Sequence, residues 1–312
     1  MSERGSAASA VPSTAPARDV AGIAIDWLFD SPTVRLTRWS CLVRKGGVTS
    51  ERQQFWHVIG FPHAGSYRLH ADGESVLIDV SGVAFFNPLG VYRTSHPHGF
   101  GDRGVGIVVR PDVTADALAD AGLSAGAEEA RFPFLHGPSS PRAYWIQHAI
   151  FARAIAGDPV DPIEIEEGAL ALVAETVGAA ARRSKTARPA ERPSSARRRR
   201  EAVDAARGYL LRRYREPVRL AEVAASAGLS PFHTCRSFKR ETGLSVNRFV
   251  HRLRLRAALD LLPEYRRDIT RLALDLGYSS HSHFTYAFRR EFGFPPSSAW
   301  TRPPAIRPSL PN

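Results

Sequence analysis

Two short segments set cations and hydrogen-bonding side chains at helical spacing. One carries Phe232, Cys235, Arg236 and Lys239 at i, i+3, i+4 and i+7; the other carries His281, Ser282, Thr285, Tyr286 and Arg289 on one face. An exposed helix face of this kind suits the DNA major groove, where Arg236 can reach guanine O6 and N7 bidentately and Phe232 can pack on a thymine methyl. His233, Arg240 and Arg290 flank these rows and complete the candidate DNA-binding set. One such helix in isolation reads more readily as a solvated charged face. Two of them at nearly constant spacing make base readout the better reading. His281 and His283 stand at i, i+2 and so on different faces, which argues against a shared metal there.

The elements that must position these rows form a repeat. Leu220–Gly243 (LAEVAASAGLSPFHTCRSFKRETG) and Ile269–Gly293 (ITRLALDLGYSSHSHFTYAFRREFG) share a Gly, Gly228 or Gly277, followed by a Phe-basic-basic-Glu run. Each copy reads as helix, tight turn, helix. Gly supplies the left-handed turn residue, and Ser230, with Pro231 after it, or Ser279 or Ser280 can cap the second helix. Leu229, Thr234 and Phe238 in the first copy, and Phe284 and Phe288 in the second, are expected to face inward. Between the copies, Ser245–Leu262 reads as one longer helix that fixes their separation, which must be roughly 34 Å if both units read one face of straight DNA; bent DNA is the other geometry.

Charge agrees with a polyanionic partner for this half. The 312 residues carry a net charge of +11, divided as −6 over residues 1–181 and +17 over residues 182–312. Lys and Arg neutralise phosphates and release counterions, so nucleic acid leads; an Arg-rich surface without such a partner is the plain alternative. Two cysteines far apart, Cys41 and Cys235, argue against a disulfide framework and a cysteine-based zinc site, and fit a reducing cytoplasm. No run approaches the roughly 20 apolar residues of a membrane span, and the Ser/Ala/Pro-rich residues 1–20 read as disordered rather than as a signal peptide.

Residues 21–110 run in short apolar pieces broken by Gly, Pro, Asp and Asn, the texture of a β-rich domain. Tyr67–His70 and Val76–Val80 flank Ala71-Asp72-Gly73-Glu74, a hairpin signal. Residues 111–181 turn helical, with stripes over Pro141–Ala156 (Trp145, Ile146, Ala149, Ile150, Ala154) and Glu164–Arg182 (Leu170, Val173, Val177) that serve packing within the chain or dimerisation. Residues 182–200 are rich in Arg, Pro and Ser and read as a linker, whose Arg run either touches phosphates or only keeps the tether extended. A DNA-binding domain over 201–300 and a disordered tail over 301–312 complete the division.

The C-terminal region, about Arg198 to Trp300, resembles the AraC/XylS family of bacterial transcription regulators in GLSPFHTCRSFKRETG, RLRLRAALDLL and DITRLALDLGYSSHSHFTYAFRREFGFPPSSAW. The resemblance implies a seven-helix, two-unit domain that binds promoter DNA and usually activates transcription. By position, Phe232, Cys235 and Arg236 fall on the family's base-facing places in the first unit, and His281, Ser282, Thr285 and Tyr286 in the second. Tyr286 stands where members commonly carry Arg, and Val246 where many carry Pro.

The N-terminal half is similar to the cupin-like sensor domains of that family. Gly82–Gly90 (GVAFFNPLG) resembles the second cupin motif, with Tyr92-Arg93 and His96-Pro97-His98 after it. A metal-binding cupin has His where this chain has Arg93, so no metal or other cofactor is expected; His57, His63, His70, His96 and His98 read as structural or solvent histidines before they read as ligands. Trp56, Tyr92, Arg93 and His96 are the candidates for a small-molecule pocket. The resulting expectation is an α+β, two-domain, non-enzymatic cytoplasmic regulator: a cupin-like β-barrel followed by helices, then an all-α domain with two helix-turn-helix units. Promoter DNA, RNA polymerase, a small-molecule effector and a second copy of the chain are its expected partners. The rival classes are a cupin-type metal-dependent enzyme fused to a DNA-binding tail, and a constitutive DNA-binding protein.

Overall fold

The computed structural model describes residues 23–41, 47–49, 51–123, 130–156, 161–185 and 193–300; the expected disordered ends at 1–20 and 301–312 lie outside them. The N-terminal unit is antiparallel. Strands β1 (Ile23–Asp30), β2 (Val34–Cys41), β4 (His57–Ala64), β7 (Gly82–Phe86), β9 (Asp102–Val109) and β10 (His136–Pro138) form a six-stranded sheet in the order β1-β2-β9-β4-β7-β10. Strands β3 (Arg52–Gln53), β5 (Ser66–Ala71), β6 (Glu74–Asp79) and β8 (Val91–Ser95) form a second sheet in the order β3-β8-β5-β6. Among the described residues these pair as two separate sheets and not as one closed barrel. The expected hairpin is β5–β6, turned by Asp72 and Gly73, both at positive φ.

Alternation along β2, β4, β7 and β9 drives Leu36, Ile59, Phe61, Phe85 and Ile107 into one core, which three helices close: α1 (Pro111–Asp120), α2 (Pro141–Ala156) and α3 (Pro162–Lys185). Ile146, Ile150, Val173 and Val177 of the two predicted stripes lie in that core, whereas Leu170 remains on the outside.

The stretch 182–200 differs from the linker expected of it. Residues 182–185 continue α3 and residues 193–200 open α4 (Pro193–Arg213), while 186–192 lie outside the described residues. Arg is a good helix former, and Val203, Ala206 and Leu210 further along supply the buried stripe that anchors the helix. Composition alone showed only the Arg, Pro and Ser.

After α4 come α5 (Leu220–Ala227), α6 (Pro231–Thr242), α7 (Val246–Leu261), α8 (Ile269–Asp275) and α9 (His281–Phe292). The last of the seven expected helices is a single 3-10 turn over Pro296–Trp300, five residues behind a Pro pair. Each helix-turn-helix unit has its own core, and each core reaches into the N-terminal half. Val80 joins Val203, Phe238 and Phe249 in the first, and Tyr144 joins Leu259, Phe284 and Phe288 in the second. No helix among the described residues is long and apolar enough to cross a membrane.

Candidate nucleic-acid interface

Helices α6 and α9 are built alike. In the first unit Gly228 ends α5 at φ 63°, and the Ser230 hydroxyl accepts from the His233 backbone N–H at 3.3 Å, capping α6 with Pro231 at its first position. In the second unit Gly277 turns at φ 78° and Ser280 accepts from the His283 N–H at 3.2 Å. Both α6 and α9 end on a left-handed glycine, Gly243 and Gly293. Local signals at both ends of each helix thus fix the phase of its faces.

That phase buries Thr234 and Phe238 of α6 and Phe284 and Phe288 of α9, as expected; Leu229 is half-buried. The opposite faces carry the candidate residues. Phe232 is 65% exposed and Tyr286 67%. His233, Cys235, Arg236, Lys239 and Arg240 are exposed on α6, as are His281, Ser282, Arg289 and Arg290 on α9, while Thr285 is half-buried. The Arg236 guanidinium lies 5.6 Å from the Phe232 ring centroid, so the two act as one aromatic-cation pair. Among the described residues Arg236, Lys239, Arg289 and Arg290 have no acidic partner, and their charge faces solvent uncompensated.

Sequence reasoning missed the residues that hold the units together. Arg254 of α7, 8% exposed, donates to the carbonyls of Tyr214 at 2.6 Å, Gly277 at 2.7 Å and Glu216 at 2.9 Å, and so joins the end of α4 to the turn of the second unit. Gly277 is required there, because a Cβ would stand 2.4 Å from the Arg215 carbonyl oxygen. Arg252 pairs with Glu291 of α9 at 3.0 Å. Both arginines sit in RLRLR, where the alternation of Arg and Leu is visible but the carbonyls they reach are not.

The N-terminal unit docks on this domain through buried charge. Arg207 of α4 reaches Asp79 at 2.7 Å, Asp204 meets Arg68 at 2.6 Å, and the Asp204 carbonyl lies 3.0 Å from His98 Nε2. Arg256 of α7 donates to the Ser139 carbonyl at 2.7 Å and stacks 4.4 Å over Tyr144; burial lowers its pKa to about 10. Beside it a cleft of about 370 Å³ separates the units, lined by Phe100, Arg103, Leu211, Arg215 and Leu261 among others.

The four candidate ligand residues are not brought together. Tyr92 and Arg93 line a polar groove with Glu51 and His70. Trp56 lies apart, under Arg35, which also covers Trp27. His96 is buried and bound to Asp102 at 2.6 Å; burial acts to lower its pKa, but the bond to Asp102 and the nearness of Asp102 and Cys41 outweigh that and raise it to about 9. The other histidines are likewise dispersed: His57 bonds the Ala130 carbonyl, His63 meets Gln147, His70 meets Ser95 and His98 meets Ser66.

Residues 223–302 match a helix-turn-helix domain model. The transcriptional activator RhaS of Klebsiella pneumoniae (strain 342) is 39% identical over 75 residues, 24% of this chain and 27% of that protein. RhaS of Escherichia fergusonii is 36% identical over 83 residues, 27% of this chain and 30% of that protein. The chain therefore spans less than a third of the length of these curated relatives. The C-terminal domain of AraT, a response regulator from Geobacillus stearothermophilus, is 28% identical, with 32% of this chain and 85% of that one covered at a TM-score of 0.31. The capped helix pairs, their cores and the match over residues 223–302 make the C-terminal part of the chain a helix-turn-helix domain.

Proposed function

We propose that the chain is a sequence-specific transcription regulator that reads promoter DNA with α6 and α9 in successive major grooves. One observation carries this reading: two helices of equal length, capped alike, each bury an aromatic face and turn unpaired cations and hydrogen-bonding side chains to solvent. Arg236, Lys239 and Arg289 are the principal contacts, with Phe232, Cys235, His281, Ser282, Thr285 and Tyr286 at base edges and His233, Arg240 and Arg290 near phosphates. The RhaS relatives are transcriptional activators, which favours activation and favours a regulator over a metal-dependent enzyme with a DNA-binding tail.

The two-sheet unit acts in this reading as a cupin-like sensor in the cytoplasm. What supports a sensor role is its direct grip on α4 and α7 and the cleft between the units, which is large enough for a small-molecule effector. RNA polymerase is the partner an activator needs. A second copy would pair through α3, where Ile163 and Leu170 are exposed. Crosslinking and sequencing of bound genomic DNA tests the reading: discrete sites sharing one motif of two half-segments are expected, and uniform coverage of the genome would overturn it.

A further inference from the structure

Three donor side chains meet inside the N-terminal unit. Cys41 closes β2 and is the ladder partner of Asp102, the first residue of β9; His96 enters from the connection between β8 and β9. One ligand atom of each lies within 4.8 Å of the others, and the three residues are only 2%, 1% and 6% exposed. Asp102 is steadied from behind, because Trp39 Nε1–H donates to its Oδ2 at 2.6 Å. The Trp39 ring reaches that position across Gly104, where a Cβ would stand 2.4 Å from the ring. The Nδ1 of His96 is buried and has no hydrogen-bond partner, and Cys41 is a free thiol. Orphaned nitrogens this deep are costly, and an ion would satisfy this one.

We propose that Cys41, His96 and Asp102 form a binding site for a zinc-class divalent cation. Thiolate, imidazole and carboxylate together select a borderline metal over magnesium or calcium. The ion takes a thiolate from Cys41, a neutral imidazole from His96 and a carboxylate from Asp102, and protons displaced from these donors leave to solvent. The donors must draw in to roughly 2.0–2.3 Å from the metal, which needs small side-chain rotations and the opening of the His96–Asp102 contact. Water takes the fourth tetrahedral position. Arg93, which holds the place of a metal ligand in the cupin-like motif, is exposed and plays no part. The bound ion would staple β2, β9 and the connection that sets His98 against α4.

Cobalt(II) added to chelator-treated, reduced full-length protein tests the site. A single equivalent is expected to give a thiolate-to-cobalt charge-transfer band and the visible bands of a four-coordinate ion, which zinc then displaces. Cys41→Ser abolishes the charge-transfer band, His96→Gln weakens binding sharply, and Cys235→Ser leaves the spectrum unchanged. The absence of the band in the wild-type protein, or its loss with Cys235→Ser and not with Cys41→Ser, overturns the proposal. Should Cys41→Ser fail to fold, thermal unfolding of Cys235→Ser decides. Zinc raises its melting temperature if the site exists; an unchanged melting temperature contradicts it.

Discussion

At the scale of single residues, the exposed side chains of α6 and α9 proposed to read bases differ from those that hold the fold. Arg236 has no acidic partner and carries Phe232 beneath it, so it is free to form a bidentate pair with guanine. Arg236→Ala is expected to cost about 1–3 kcal/mol at one position of the operator and to relax preference there, measured by anisotropy titration against single-base variants of the site. An equal loss on every sequence would make Arg236 a phosphate contact. His63 belongs to the other group. Burial lowers its pKa from 6.5 to about 4, so the neutral imidazole is the form the fold accepts. Its contribution to stability is complete above pH 6.5 and is lost as pH falls from 6.5 towards 4. Denaturant titrations at pH 7.5 and 5 are expected to show that loss in the wild type and a smaller one in His63→Gln; an identical pH dependence in both proteins would refute the assignment.

At the scale of elements, the reading helices depend on their ends. Ser280 satisfies the His283 N–H, and removing it by Ser280→Ala is expected to cost about 0.5–2 kcal/mol of stability. Calorimetry checks this, and a neutral substitution would show that tertiary packing alone holds α9. These ends explain why the site was legible in the sequence. A Ser cap, a left-handed Gly and a buried pair at i and i+4, Thr234 with Phe238 or Phe284 with Phe288, are local signals, and they fix which face of α6 and α9 is outside before any contact is known. The hairpin at Asp72-Gly73 was legible for the same reason. What lay beyond reach was set by distant partners. The Arg run at 197–200 reads as tether until Val203, Ala206 and Leu210 are seen to pack, and nothing along the sequence shows the three carbonyls that meet Arg254. Trp56, Tyr92, Arg93 and His96 were grouped by residue type along a strand-rich stretch, but strand order and register separate them. Cys41 and Asp102 were missed because only the β2–β9 ladder makes them neighbours.

At the scale of the whole molecule, the N-terminal unit grips the C-terminal domain through a few ion pairs as well as through Val80 and Tyr144, which enter its two cores. Asp79 is fully buried, held by Ser81 and by Arg207. Arg207→Ala would leave that carboxylate unpaired, at a cost of about 3–5 kcal/mol. Differential scanning calorimetry is expected to show one cooperative transition for the wild type and two separated transitions for Arg207→Ala; a single unshifted transition would show that the latch is unimportant. In the proposed sensor role, this latch would carry a change in the N-terminal unit to α4, and through Arg254 to the spacing of α6 and α9.

One helix-turn-helix unit alone would not need the α7 connector or its arginine ties, so the proposed reading of DNA depends on the spacing of α6 and α9. In vitro selection from a random duplex library tests it directly, with the wild-type protein, Arg236→Ala and Arg289→Ala run in parallel. A wild-type motif of two segments about one helical turn, roughly 10 base pairs, apart is expected, with each substitution blurring a different segment. Both substitutions blurring the same segment, or neither altering a motif that has only one, would contradict it.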